Sequence, residues 1–417
     1  MRAVSFDVSM PRFLLAKSIG RVSDAVLYGA LSGVSLREVE EPALPGPRWV
    51  RLETILGGIC GTDIANLTYA ASPALEPFGS FPAVIGHEVL ARVVEVGSEV
   101  RGIETGQRVV VDPMISCLVR GLARGEWCSS CATGLPSTCE NAGESGLQTV
   151  AGKPLARGLM IGYHRSLPGG WGERLVAHES QLHAVPDVLS DRAAVLIEPL
   201  AIAVHAVLSS TPRAEEPVLV IGSGPIALAT VWALRATGFR GEVVAQTKRR
   251  HEAQLARALG ASAVVTPGAE ARQALVDTGA QAYLPIVGPE VYAGGGFPLI
   301  LDCVGSKDSV MQALRFASAR GRVVMLGCAA QISRLDFTLL WARELEVRGF
   351  IGYGTEHFRD GARHTFQITQ EFLTESSAPV EHMITHVFPL SQYRDALRAA
   401  TNRAASGSVK VLLAPVD

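Results

Sequence analysis

Two short motifs of this chain bring together side chains of the types that hold catalytic metal ions. Residues 58–63 read Gly-Ile-Cys-Gly-Thr-Asp, and residues 86–88 read Gly-His-Glu. Cys60, His87 and Glu88 thus offer sulfur, nitrogen and oxygen donors, a mixed set that Zn²⁺ accepts. Three protein ligands leave a coordination position open for a substrate. We therefore expect a zinc ion that takes part in catalysis.

Three further side chains are candidates for the same site. Glu198 begins an apolar, helix-like stretch and is a further candidate zinc ligand. Asp63 is expected to hydrogen-bond the His87 ring nitrogen that does not bind the metal, and Thr62 to take the hydroxyl proton of an alcohol. Singly, such residues have simpler interpretations as a buried thiol, a core histidine or a salt-bridge partner. Their occurrence together with the glycine-rich turn described below favours the catalytic interpretation.

A second group of thiols has the composition of a structural metal site. Cys117 is followed by ten residues and then by the pattern Cys128-x₂-Cys131-x₇-Cys139. Four thiolates suit a closed tetrahedral zinc ion that ties a long lobe together. The alternative is a set of unpaired thiols on a loop.

The two other cysteines outside these groups have a different setting. Cys303 and Cys328 lie on or beside apolar strands, so we expect them in the core.

A glycine-rich turn at residues 222–227 has the sequence of a dinucleotide-binding turn. It reads Gly-Ser-Gly-Pro-Ile-Ala between an apolar strand and an apolar-faced helix. Gly222 permits the tight turn, and Gly224 lets the backbone approach a pyrophosphate. Pro225 and Ile226 open the helix, whose N-terminus attracts the phosphates. The alternative is a turn between strand and helix that binds nothing.

The end of the next strand favours NADP(H) over NAD(H). An NAD site has an acidic residue there, but this strand ends at Gln246 or Thr247, and Lys248 and Arg249 follow. The missing carboxylate removes repulsion against a 2′-phosphate, and the cations attract it. We expect Thr247, Lys248 and Arg249 to bind the cofactor. The alternative is that the cations only form a solvated helix start.

The elements that must position these residues divide into two regions. Residues 1–185 contain short strands broken by Gly and Pro, which predicts an irregular β-barrel or sandwich, with residues 11–32 as an inserted hairpin or irregular extension. From about Asp191 apolar strands alternate with helices, which predicts a doubly wound parallel sheet. Expected strands include Arg108–Val111, Val218–Ile221, Ala263–Val265 and Arg322–Leu326, and expected helices include Val195–His205, Pro225–Thr237 and Tyr393–Ala400.

Composition bounds the class of protein. The 417 residues are 48% hydrophobic and 19% charged, which indicates a globular protein of two domains. The net charge of −2 argues against a nucleic-acid partner. Without a signal-peptide core or an 18-residue apolar run, we expect no membrane span and a cytoplasmic location.

Taken together, these landmarks resemble the zinc-dependent medium-chain dehydrogenase/reductase family, which includes alcohol and polyol dehydrogenases. The resemblance implies an α/β protein with a GroES-like catalytic domain at 1–199 and 353–417, including a zinc lobe at about 112–142. It implies a Rossmann domain at 200–352, an active site in the cleft between the domains, and a homodimer or homotetramer. The loops at Val304 and Gly327 would line the nicotinamide pocket.

Glu198 stands where liver-type alcohol dehydrogenases have Cys, which resembles the polyol, sugar and threonine dehydrogenase branch. That branch implies zinc held by Cys60, His87 and Glu88, with Glu198 bound directly or through water. Two further departures from the family pattern concern Ala65, where many relatives have a relay histidine, and Cys117. Ten residues separate Cys117 from Cys128 where the family has two, which leaves the membership of Cys117 open.

The sequence therefore predicts hydride transfer between NADP(H) and a small alcohol or carbonyl compound, such as a secondary alcohol, polyol or sugar-like substrate. One alternative is an NAD-preferring polyol or threonine-type dehydrogenase. Others are a zinc-free quinone or enoyl reductase of the same fold, which predicts loss of the zinc ligands, and a non-catalytic zinc-binding adaptor.

Overall fold

The computed structural model describes residues 1–20, 24–150, 152–327, 331–359, 361–375 and 379–415. The strands are β1 Arg2–Phe6, β2 Val34–Glu38, β3 Trp49–Gly58, β4 Ala83–Val84, β5 Val89–Val96, β6 Arg108–Val111, β7 Thr149–Val150, β8 Lys153–Pro154, β9 Arg174–His178, β10 Leu182–Ala184, β11 Val218–Ile221, β12 Val243–Gln246, β13 Ala263–Val265, β14 Gln281–Tyr283, β15 Val291–Ala293, β16 Phe297–Asp302, β17 Ala317–Met325, β18 Glu346–Gly349, β19 Thr355–Phe358, β20 Gly361–His364, β21 Ile384–Pro389 and β22 Lys410–Ala414.

The helices of the described residues are between 4 and 13 residues long. They are α1 Met10–Ile19, α2 Asp24–Leu27, α3 Gly61–Leu67, α4 Ser129–Ala132, α5 Asp191–Ala194, α6 Ile197–Ser209, α7 Pro225–Ala236, α8 Arg250–Ala258, α9 Ala269–Asp277, α10 Lys307–Phe316, α11 Thr338–Ala342, α12 Thr365–Glu375, α13 Tyr393–Thr401 and α14 Arg403–Ser406. Over the residues that the structure describes, none of these helices is both long and apolar enough to cross a membrane.

The chain divides into two compact units. The first comprises Met1–Glu198, Tyr353–Thr374 and Ile384–Asp417, and the second comprises Pro199–Gly352 and Glu375–Met383.

The first unit is built on a twisted, mostly antiparallel sheet. Its strand order is β10-β6-β5-β3-β22-β21, and β9 also pairs with β3. A core that includes Trp49, Leu52 and Val93 packs on this sheet. Near the end of the chain, β22 returns to β3, with Leu412 opposite Gly58. The last strand therefore lies beside the segment that carries Cys60.

The second unit contains a parallel sheet with the order β13-β12-β11-β16-β17-β18. All four residues of β11 and of β12 are buried, as is typical of parallel strands that are covered on both faces. Strand β11 pairs with β12 on one side and with β16 on the other. The chain reverses its strand order at this point, where dinucleotides bind outside the carboxyl ends of the strands. The predicted α/β class with a Rossmann sheet is confirmed.

Most predicted elements lie within a few residues of the observed ones, but the prediction for residues 11–32 was wrong. In place of a hairpin or irregular extension, this segment contains helices α1 and α2. Pro11 lies in the first turn of α1, where a proline is favoured because its fixed φ suits the helix and the missing N–H has no partner to lose. Of the two cysteines expected in the core, Cys303 is half-buried, and Cys328 lies outside the described residues.

Candidate functional site

Cys60, His87 and Glu88 come together at the end of β3. Their ligand atoms, one from each side chain, lie within 4.8 Å of one another. Cys60 begins helix α3, and the other two residues immediately precede β5. Gly58 permits this approach, because a Cβ at that position would overlap Glu88 Oε2. The distances and the mixed donor set both fit a zinc ion.

Asp63 lies beside the His87 ring and contacts its Nδ1 atom. Its Oδ1 lies 3.3 Å from His87 Nδ1 and also accepts a hydrogen bond from the Tyr163 hydroxyl. Its Oδ2 accepts the Cys60 N–H at 2.8 Å. Burial opposes the charged form of Asp63, but the His87 charge and these hydrogen bonds outweigh it and lower the pKa of the carboxyl. A proton on Nδ1 of His87 leaves Nε2 free for a metal ion.

Glu198 and Thr62 are not part of the group formed by Cys60, His87 and Glu88. Glu198 is not a member of the set of mutually close ligand atoms; its Oε1 accepts a hydrogen bond from the Tyr353 hydroxyl at 3.1 Å, and its Oε2 has no hydrogen-bond partner among the described residues. Burial raises the pKa of Glu198 to about 7, with the His87 charge opposing and the Glu88 charge reinforcing the shift. Thr62 Oγ1 lies 3.7 Å from Cys60 Sγ.

The four thiols of the lobe form a second compact group, which includes Cys117. The Sγ atoms of Cys117, Cys128, Cys131 and Cys139 lie within 4.8 Å of one another. Cys117 Sγ is 3.6 Å from Cys128 Sγ and 3.8 Å from Cys139 Sγ. A tetrahedron with zinc–sulfur bonds of 2.3 Å has edges of about 3.8 Å. The long spacing after Cys117 is therefore compatible with a four-thiolate zinc site.

The glycine-rich turn follows the central strand β11. Gly222 has a φ of +125°, a conformation that other residues rarely adopt. Gly224 caps α7, and Pro225 lies in its first turn. Gly327 lies against Val304, so closely that a Cβ would overlap the Val304 backbone. All of these segments belong to the second unit: the turn, the N-terminus of α7, and the loops at Val304 and Gly327. The strand, the tight turn and the helix that follows are the elements of a dinucleotide-binding turn.

The strand that follows ends at Gln246, within the predicted bounds. The Gln246 side chain is paired with that of Gln312 by hydrogen bonds of 2.6 and 3.2 Å. Thr247 is buried and Lys248 is exposed. Arg249 forms an ion pair of 2.7 Å with Glu252, a buried acid in the first turn of α8. The two predicted phosphate-binding cations thus differ in their surroundings: Lys248 is exposed, whereas Arg249 already has an acidic partner.

Comparisons with known proteins agree with this geometry. Residues 46–187 match the model of the alcohol dehydrogenase GroES-like domain, and residues 225–367 match that of the zinc-binding dehydrogenases. The chain belongs to the zinc-dependent medium-chain dehydrogenase/reductase family. It is an NAD(P)-dependent dehydrogenase, which excludes the adaptor alternative.

Two curated relatives and one solved structure illustrate the similarity. L-idonate 5-dehydrogenase of Vitis vinifera is 29% identical over 92% of this chain and 93% of its own. Sorbitol dehydrogenase of Arabidopsis thaliana is 28% identical over 94% and 96%. A zinc-binding dehydrogenase of Sinorhizobium meliloti, solved with bound NADP, is 28% identical, with a TM-score of 0.71 over 99% of both chains.

Sequence reasoning missed Lys410 of this dehydrogenase. Its side chain is 1% exposed, forms an ion pair with Glu88 Oε2 and donates to the Ile59 carbonyl at 3.2 Å. Burial opposes its charge, but Glu88 and Cys60 outweigh burial and raise the pKa of Lys410. The available signal was a lysine within the apolar run of β22.

Arg120 and Asp302 of the dehydrogenase were also missed as supporting residues. The buried Arg120 donates to the backbone carbonyls of Glu144 and Gly158. The pKa of Cys139 is lowered to about 5, chiefly by the hydrogen bond from Cys131, with Arg120 contributing through its charge. Asp302 accepts from the N–H groups of Val304 and Gly305, at 2.9 and 3.1 Å, and so holds the loop after β16.

Proposed function

We propose that this dehydrogenase transfers hydride reversibly between NADP(H) and an alcohol or carbonyl substrate of the secondary alcohol, polyol or sugar class. The observation that carries the proposal is the set formed by half-buried Cys60 and buried His87 and Glu88, whose ligand atoms lie within 4.8 Å of one another. The chemistry supplied by the two bound groups is Lewis acidity from zinc and hydride exchange by the nicotinamide. The names of the relatives from grape and Arabidopsis support polyol-like substrates.

The residues of the site divide the remaining work. Cys60, His87 and Glu88 hold the metal ion, and Glu198 is a further ligand, direct or through water. Asp63 keeps the His87 ring in the tautomer that presents Nε2, and Lys410 balances the charge of Glu88. Thr62 Oγ1 accepts the hydroxyl proton of the substrate and passes its own hydroxyl proton to water.

The second unit binds the dinucleotide. The N–H groups at the start of α7, after Gly222 and Gly224, bind the pyrophosphate. Ile226 and the loops at Val304 and Gly327 complete the cofactor site, and Thr247 contributes at the end of β12. The first unit acts as the catalytic domain, with a second, structural zinc ion in the Cys117, Cys128, Cys131 and Cys139 lobe.

NADP(H) is the favoured cofactor because β12 ends in Gln246 rather than in an acid and because Lys248 is exposed. The Sinorhizobium relative was solved with NADP. The ion pair between Arg249 and Glu252 favours the second candidate, an NAD-preferring polyol dehydrogenase, because that guanidinium already has an acidic partner.

The proposal also covers the oligomeric state and the cellular location of the enzyme. The enzyme acts as a homodimer or homotetramer in the cytoplasm on a small molecule, without nucleic acid or membrane. The edge strand β18, with all four residues exposed, supports self-association, since a second copy can extend the sheet.

A substrate panel tests the proposal. Alcohols, polyols and carbonyl compounds are assayed with NADP(H) and NAD(H) through the absorbance of the reduced nicotinamide. We expect turnover of at least one secondary alcohol or polyol, with a higher kcat/KM for NADP⁺ and a loss of that preference in Lys248→Ala. A higher kcat/KM for NAD⁺ than for NADP⁺, with the same ratio in Lys248→Ala, would establish the second candidate instead.

A further inference from the structure

A third group of metal-type side chains lies in the first unit, made of residues that neither cluster above uses. The ligand atoms of Asp112, His183 and His364 lie within 4.8 Å of one another. Asp112 Oδ2 is 3.2 Å from His364 Nε2, and the two imidazole rings stack with centroids 4.5 Å apart. We propose that these three side chains bind a divalent first-row transition-metal ion.

The imidazole nitrogens that such an ion needs are shielded from solvent. Neither Nε2 of His183 nor Nε2 of His364 has a hydrogen-bond partner among the residues that the structure describes. Asp112 is buried, and its Oδ1 accepts the Met114 N–H at 2.8 Å, which leaves Oδ2 directed at His364. Buried polar atoms without partners are unfavourable, and one cation would satisfy both nitrogens and the carboxylate together.

The chemistry of the surroundings selects the class of ion. Phe366 lies 5.0 Å from the His183 ring, and Tyr353 lies 6.0 Å from the His364 ring, between ring centroids. Two imidazoles and one carboxylate favour Zn²⁺, Co²⁺ or Ni²⁺ over Ca²⁺ and Mg²⁺, which prefer oxygen ligands.

The ion would join parts of the chain that are distant in sequence. Asp112 directly follows β6, His183 lies in the neighbouring strand β10, and His364 directly precedes α12. The site therefore ties the segment after residue 352 to the edge of the main sheet. Binding at Nε2 of His364 moves the ring proton to Nδ1, so one hydrogen bond, from the Phe366 N–H at 3.2 Å, is given up.

Cobalt substitution tests this site in the full chain. The protein is stripped of metal, reloaded with Co²⁺, and its cobalt content and absorption spectrum are measured. We expect His183→Ala and His364→Ala each to bind one cobalt equivalent fewer than the wild type. The lost absorption should lie in the visible d–d bands, and the near-ultraviolet thiolate bands should persist, because the site has no sulfur ligand.

The control is His357→Ala, which removes an exposed histidine and should keep the full cobalt content. Retained thiolate bands show that a variant is folded. Where a histidine variant loses them, Asp112→Asn, which keeps an acceptor for the Met114 N–H, takes its place. Equal cobalt content in the wild type and in the folded variants would overturn the proposal. Since the readout is metal content rather than turnover, it is independent of the proposed function.

Discussion

The charged residues around the candidate zinc site are buried together with partners of opposite charge or with hydrogen-bond donors. Glu88 pairs with Lys410, Asp63 lies beside His87, and Glu198 accepts from Tyr353. A buried charge without a partner is unfavourable. Removing one partner therefore leaves the other as an unpaired buried charge and destabilises the fold. The site therefore depends on residues that do not contact the metal themselves.

Lys410→Met tests the buried pair. The substitution leaves the Glu88 carboxylate without its cation, and we expect a loss of about 3–5 kcal/mol in the free energy of unfolding, measured by urea denaturation. The control is Lys153→Met at an exposed position, which should change stability by less than about 0.5 kcal/mol. An unchanged unfolding midpoint for Lys410→Met would refute the role assigned to this lysine.

Residue types pointed to the candidate ligands, which the structure brings together, but not to the residues that support them. Cys60, His87 and Glu88 stand out because sulfur, nitrogen and oxygen donors occur in two short motifs. Lys410 and Tyr163 approach the site from other parts of the chain through sheet pairing and loop packing, which local sequence does not encode. A lysine at the start of an otherwise apolar strand was the local signal for Lys410.

At the scale of elements, the end of β3 must approach the 86–88 segment very closely. Gly58 allows this approach, since a Cβ there would overlap Glu88 Oε2. Gly61, three residues later at the start of α3, has no other atom near the position of a Cβ. The two glycines therefore form a matched pair for experiment.

Gly58→Ala should displace Glu88 and remove zinc from the candidate catalytic site, whereas Gly61→Ala should leave it bound. Elemental analysis is expected to give one zinc per chain fewer in Gly58→Ala than in Gly61→Ala, with the four-thiolate zinc retained in both. Equal zinc content in the two variants would contradict the steric role of Gly58.

The sequence predicted strand bounds well where a strand is a short run of apolar residues. The buried strand Val218–Ile221 and the half-buried edge strand Ala263–Val265 have the bounds that their apolar runs predict. The segment at residues 11–32, predicted as a hairpin or irregular extension, contains helices, and Pro11 lies in the first turn of α1, which accommodates a proline. The strand predicted at Arg322–Leu326 runs from Ala317 to Met325, and its start was missed because residues 317–321, Ala-Ser-Ala-Arg-Gly, contain no run of large apolar side chains.

For the whole molecule, buried neutral histidines make stability depend on pH. Burial lowers the pKa of His164 and of His178 to about 4. The unfolded rings take up protons below about pH 6.5, so stability is retained above that pH and is lost as the pH falls toward 4. We expect each ring to lower the free energy of unfolding at pH 5 by about 1–2 kcal/mol relative to neutral pH, measured by urea denaturation. His178→Asn, which keeps an acceptor for the Ser180 N–H, should reduce the slope; an unchanged slope would contradict this assignment.

Self-association should depend on the exposed edge of the parallel sheet. Trp341, which is 81% exposed, belongs to the same unit as the edge strand β18. Trp341→Glu is expected to shift the oligomer toward monomer in light scattering, because it places a charge near a surface that a second copy would cover. Leu147→Glu, at another exposed apolar position, should leave the mass unchanged, and equal effects of both variants would contradict an interface at this edge.

Transfer of a deuterium label from substrate to cofactor measures zinc-dependent hydride transfer itself. A secondary alcohol or polyol that carries deuterium on its reacting carbon is incubated with NADP⁺, and the reduced cofactor is analysed by mass spectrometry. We predict deuterium in the nicotinamide for the zinc-loaded enzyme, none after zinc removal, and recovery on zinc addition. Unlabelled reduced cofactor, or transfer that persists without zinc and in Cys60→Ser, would contradict the account.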